Sequence, residues 1–96
     1  MDRRDETNSP RKDQVSEEIL EVCRLIEAFR VRLGSDWVED HMSLATQDTE
    51  MALENLCTQI HEFDLKISAD ELREIRRHCG KWQVDDQFYS DLNNTK

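Results

Sequence analysis

Cys57 and His61 stand four residues apart, one helical turn, and come nearest in this chain to a nucleophile beside a base. A catalytic thiol needs an imidazole to take its proton and an acid to orient that imidazole. Cys57, however, falls among Leu53, Leu56 and Ile60, where a cysteine fits a small buried hydrophobe beside a boundary histidine. The same pair could begin a metal site completed by His41, His78 or Cys79. Zinc sites gather ligands in close pairs, and these candidates are dispersed, so neither a metal nor a cofactor is expected. Carboxylates are paired at Glu17-Glu18, Glu39-Asp40 and Asp85-Asp86. A catalytic carboxylate needs a pocket that raises its pKa, and none is legible, so these pairs read as solvated surface. Gly34 and Gly80 are too far apart to cradle a phosphate. The residues point to a protein that binds another protein, not to an enzyme.

The informative chemistry lies where bases are missing. Between Arg32 and Lys66 there is no Lys or Arg, while the interval holds Asp36, Glu39, Asp40, Asp48, Glu50, Glu54, Glu62 and Asp64. In Asp70-Glu71-Arg73-Glu74-Arg76-Arg77 the two signs alternate and neutralise one another at i,i+3 and i,i+4. The middle third has no such local relief. Gathering like charge costs stability through self-repulsion, which a cationic partner removes. The candidate partner-binding residues are therefore Glu39, Asp40, Glu50, Glu54, Glu62 and Asp64. Asp48 ranks lower because it is placed to cap a helix. Trp37 and Tyr89 are the side chains most able to anchor an interface centre, although Trp37 fits the core better.

These residues need elements to carry them, and the pattern is helical. Val15, Ile19, Val22, Ile26, Phe29 and Leu33 recur at spacings of four and three, predicting one helix from Ser16 to Leu33, stopped by Gly34. A shorter helix is expected over Asp36 to Ala45, capped by Ser35 or Asp36, with Trp37, His41, Leu44 and Ala45 on one side. Asp48 then caps a helix over Thr49 to Phe63, whose apolar face is Ala52, Leu53, Leu56, Cys57, Ile60 and Phe63. Ser68-Ala69-Asp70-Glu71 matches a capping box, opening a helix with Leu72, Ile75, Cys79 and Trp82 inside. Asp85 is placed to cap a last short helix carrying Phe88, Tyr89 and Leu92.

The expected fold is all-α, a compact bundle of about four to five short amphipathic helices. Residues 1–14 carry four acids and four bases and no apolar residue after Met1, which predicts a disordered polar tail. Residues 15–96 are expected to form a single helical domain. With 96 residues and a net charge of −9, the chain has room for one core and repels phosphate backbones and anionic lipid, so neither direct nucleic-acid binding nor a membrane is expected. No apolar leader opens the chain, and Cys23, Cys57 and Cys79 fall on three different helix faces. That predicts a cytoplasmic protein whose cysteines pack as thiols and form no functional disulfide.

One stretch carries a resemblance. Met51-Ala52-Leu53-Glu54-Asn55-Leu56-Cys57-Thr58-Gln59-Ile60, then Glu62-Phe63-Asp64, then Ile67-Ser68-Ala69-Asp70-Glu71-Leu72, resembles small bacterial immunity proteins of the MafI type. These belong to polymorphic toxin systems, alongside the immunity proteins of contact-dependent growth inhibition. The resemblance implies an inhibitor that binds and masks a cognate toxin, commonly a nuclease, whose phosphate-binding surface is basic. A reading from another class is a helical adaptor or regulatory subunit that seats an apolar partner helix in a groove.

Overall fold

The computed structural model describes residues 16–92, and among these every regular element is helical. The tail expected over residues 1–14, Val15 and the last four residues lie outside the described residues. The elements are α1 (Glu17–Glu27), α2 (Arg30–Leu33), α3 (Ser35–Gln47), α4 (Thr49–Glu62), α5 (Ala69–Lys81) and a 3₁₀ turn (Asp86–Phe88). Helix α1 packs on α3, α4 and α5, α3 pairs with α4, and α4 also touches α5 and the 3₁₀ turn. The core is continuous, with Val22, Ile26, Phe29, Val38, Ala52, Leu53, Leu56, Cys57, Ile75 and Cys79 withdrawn from solvent.

The caps follow local chemistry. The Ser16 hydroxyl accepts from the Ile19 amide (3.2 Å), and Asp48 Oδ1 accepts from the Met51 amide (3.1 Å). At α5 both halves of the capping box form, each 3.0 Å long. Asp85 accepts from the Gln87 amide (3.1 Å), but it opens a 3₁₀ turn and not the α-helix expected there. Only three residues separate that turn from the chain's return to the core at Leu92.

Three further expectations are corrected. The first helix is not continuous to Leu33. Its ladder tightens at Ala28 and Phe29, where the Phe29 amide bonds Ile26 O (3.0 Å), and α2 restarts one residue later. Phe29 sits in this break with its side chain fully buried. Neither Ser35 nor Asp36 caps α3. Gly34 does so without a side-chain bond, at φ 94° and ψ 153°, a backbone region open essentially to glycine alone. Phe63 is 64% exposed instead of facing the core. There the chain leaves the helix through Asp64 at φ 50°, the Leu65 amide reaches back to Ile60 O (3.0 Å), and Leu65 and Ile67 take the inner places. His78 joins the inner face of its helix as a core residue, 1% exposed, on the stripe that Ile75 and Trp82 mark. Helix α5 ends in the same way as α4, with Gln83 at φ 59° and the Val84 amide on Cys79 O (2.9 Å).

Candidate partner-binding face

The outward side of α4 is set by its inward side. With Leu53, Leu56, Cys57 and Ile60 committed to the core, the 3.6-residue period turns Glu50, Met51, Glu54, Thr58 and Glu62 toward the opposite face. Met51 is 45% exposed and places an apolar side chain within the acids. Glu54 is half-buried. Its carboxyl is pushed above the usual carboxylate range, first by burial, then by the neighbouring Glu50 carboxylate, then by Asp48 and Asp85. The fold therefore assembles four acids around the first half of α4. Among the described residues no basic side chain lies within ion-pairing distance of Glu50 or Glu54.

The other predicted residues are distributed differently. Glu39 pairs with Arg30 at 2.7 Å, and Arg30 also holds Glu27 at 2.7 Å, so Glu39 is neutralised from α2. Asp40 is exposed on α3 beside His41. Glu62 lies twelve residues beyond Glu50, about 18 Å along the axis. It lines a cleft of about 260 Å³ with Cys57, Thr58, His61, Gln87, Phe88 and Asp91. Asp64 is exposed and occupies the left-handed turn that ends α4. The structure thus brings Glu50 and Glu54 together and leaves Glu39, Asp40, Glu62 and Asp64 outside their cluster.

Asp85 joins that cluster and was missed by reading acids only between Arg32 and Lys66. Its signal is a second base-free stretch, since no Lys or Arg occurs between Lys81 and Lys96. The 3₁₀ segment lies along α4, placing Asp85 near Glu54, and Gln87 and Phe88 beside Cys57 and Thr58.

The α3–α4 seam is polar but satisfied. The Trp37 ring stacks on His41 (centroids 3.8 Å apart, planes 10° apart), His41 Nδ1 contacts Trp37 O (2.9 Å), and Asn55 contacts His41 Nε2 (3.1 Å). Trp37 and Tyr89 are both half-buried, so each shows one edge to solvent.

Cys57 is no activated nucleophile. Its sulfur lies 3.8 Å from Cys79 Sγ, and this contact together with burial pushes its thiol well above the ordinary range. All three cysteines are free thiols. Among the described residues no three His, Cys, Asp or Glu side chains gather to hold a metal ion, and no helix is long and apolar enough to cross a membrane. No protein-family model, curated protein or solved structure matches this chain.

Proposed function

We propose that the protein is an immunity-type inhibitor that neutralises a cognate toxin by laying the acidic face of α4 on a basic surface, most simply that of a nuclease. The observation that carries this reading is the cluster of Asp48, Glu50, Glu54 and Asp85, where burial first and then the neighbouring acids raise the Glu54 pKa, so that gathering them costs stability. A cationic partner relieves that cost. The exposed Met51 supplies an apolar contact at the same place, and the resemblance to MafI-type immunity proteins, over roughly Asp48 to Leu92, agrees with it. In this reading Glu50 and Glu54 form the centre, Asp40, Glu62 and Asp64 form the rim, and Glu39 contributes less because Arg30 already holds it.

The experiment pairs the protein with the toxin domain encoded beside its gene. Replacing Glu50 and Glu54 together by Lys should slow association at least tenfold and leave the far-ultraviolet spectrum unchanged, because charge complementarity acts chiefly on the on-rate. The control reverses Glu17 and Glu18, which face Arg24 (4.0 Å) and Lys81 (3.5 Å). Equal, small effects at both sites would reject the acidic face as the binding surface. The adaptor reading has one observation in its favour, the 64% exposed Phe63 ring at the end of α4. An apolar complex of that kind keeps its association rate at high salt, whereas an acid-driven one slows steeply.

A further inference from the structure

Two of the three cysteines meet in the core. Cys57 on α4 and Cys79 on α5 are both fully buried, and their sulfurs are 3.8 Å apart, in van der Waals contact with nothing between them. A disulfide bond is about 2.05 Å long, so the sulfurs need to approach by about 1.8 Å. Closing that distance takes rotation of the two side chains together with a shift between two helices already in contact. Cys57 backs onto the open cleft of about 260 Å³ that His61, Thr58 and Phe88 border, but its sulfur is fully buried behind the cleft wall. A peroxide molecule, little larger than water, enters the cleft and meets the sulfur only when that wall opens locally. Cys23 is in a different situation, half-buried and 3.7 Å from the Met42 carbonyl, with no second sulfur in contact.

We propose that Cys57 and Cys79 are a redox-responsive dithiol, which a peroxide closes to a disulfide that ties α4 to α5. This revises the expectation, drawn from three separate helix faces, that the cysteines form no functional disulfide. It is independent of the acidic-face reading. In the first step the Cys57 sulfur attacks one peroxide oxygen, the O–O bond breaks, and Cys57 becomes a sulfenic acid while one water leaves. The thiol proton passes to the departing hydroxide, directly or through the His61 imidazole in the same cleft. In the second step the Cys79 sulfur attacks the Cys57 sulfur, the S–O bond breaks, and the hydroxide takes the Cys79 proton as a second water. Two thiols and one hydrogen peroxide thus give one disulfide and two waters, with the thiols oxidised and the peroxide reduced. The resting Cys57 thiol is held neutral by its contact with Cys79 and by burial. Closure is accordingly slow, on the scale of minutes to hours, and brief exposure to oxidant leaves the protein reduced.

The test treats the reduced full-length protein with hydrogen peroxide in native buffer, quenches with acid, alkylates the remaining thiols and measures intact mass and peptides without reductant. The expected result is a loss of about 2 Da, a Cys57–Cys79 linked peptide, recovery of both thiols with dithiothreitol, and a raised unfolding midpoint in the oxidised form. The C23S variant should behave as the wild type, whereas C57S and C79S should lose the linkage. Because the wild-type peptide map needs no substitution in the core, the test survives if C57S or C79S fails to fold. Oxidation confined to Cys23, or sulfinic acid at Cys57 or Cys79 without a link between them, would overturn the proposal.

Discussion

Helices α1 and α5 and the outward side of α4 handle charge in opposite ways. Across α1 and α5, Arg77 holds Glu74 (2.7 Å) and Glu21 (3.3 Å), Lys81 faces Glu18 (3.5 Å), and Arg73 holds Asp70 (2.7 Å). Arg32 reaches further, gripping both oxygens of Glu71 (3.0 and 2.6 Å) and the carbonyls of Ala28 and Lys66, with its guanidinium 4.0 Å above the Phe29 ring. Glu71 and Glu74 are drawn below the ordinary carboxylate pKa by their arginines. On α4 the acids have only one another, and Glu54 moves the opposite way. The lesson is that one set of carboxylates is part of the folded structure's own stability, while the other is maintained at a small expense to it. Acids that the fold does not need are the ones available to a partner.

The largest expected effect tests the first half of that contrast. Arg32→Ala removes a bidentate ion pair, two carbonyl bonds and a ring contact from a site less than one-third exposed, and leaves the Glu71 carboxylate without its counter-charge. A loss of about 2 kcal/mol is expected in urea unfolding. The Glu50 and Glu54 double reversal, by contrast, should leave the urea midpoint unchanged or raise it. A comparable loss from that reversal would show that the α4 acids are structural and would break the comparison.

A smaller effect separates two helix caps of the same type. Ser68→Ala removes a complete capping box from α5 and should cost about 1 kcal/mol. Asp48→Ala removes the α4 cap but also takes one negative charge away from Glu54, so its cost should be smaller. Asp48→Asn keeps a capping oxygen and removes only the charge. It should match or exceed the wild type in thermal unfolding, and a clear loss would mean that the acids around α4 do not repel one another.

The smallest expected effect is in the pH profile. The folded pKa of Glu54 is raised above the ordinary 4.5, so its penalty on folding is present at neutral pH and fades as pH falls through that raised value. The folded pKa values of Glu71 and Glu74 are lowered, so their contributions hold above 4.5 and are lost as pH falls below it. His78 opposes Glu54, because burial and then Arg77 depress its pKa, and stability falls as pH drops below its ordinary 6.5. The informative quantity is thus the difference between wild type and Glu54→Gln. That difference should shrink as pH falls from neutral toward the ordinary carboxylate range, and a constant difference would mean that ionised Glu54 carries no penalty in the folded state.

Much of this molecule is legible in the residue order. The spacing of Val22, Ile26 and Phe29, of Leu53, Leu56 and Ile60, and of Leu72, Ile75 and Cys79 gives the core stripes, and Ser16, Asp48 and Ser68 mark helix starts that form as written. All these features depend on neighbours within four residues, where backbone geometry alone decides what meets what. The misreadings occur at helix ends. Phe29 and Phe63 both fit a periodic stripe, yet one sits in a break of the helix and the other past its end, because the core accepts the first ring and offers Leu65 and Ile67 in place of the second. His78 falls on the stripe of Ile75 and Trp82, and the packing of α5, not its residue type, puts it in the core.

By itself, the sequence determined that the described chain is helical, where most of its helices begin, and that one third of it has acids without bases. Only the tertiary structure decided that Arg30 neutralises Glu39, that Asp85 comes beside Glu54, and that the Cys57 and Cys79 sulfurs touch. The difference is physical. A helical repeat is imposed by hydrogen bonds four residues apart, so it is written into every short window of sequence. Which two helix faces meet depends on how α1, α4 and α5 close around a shared core, and that closure couples residues as far apart as Arg32 and Glu71, whose ion pair no local pattern encodes.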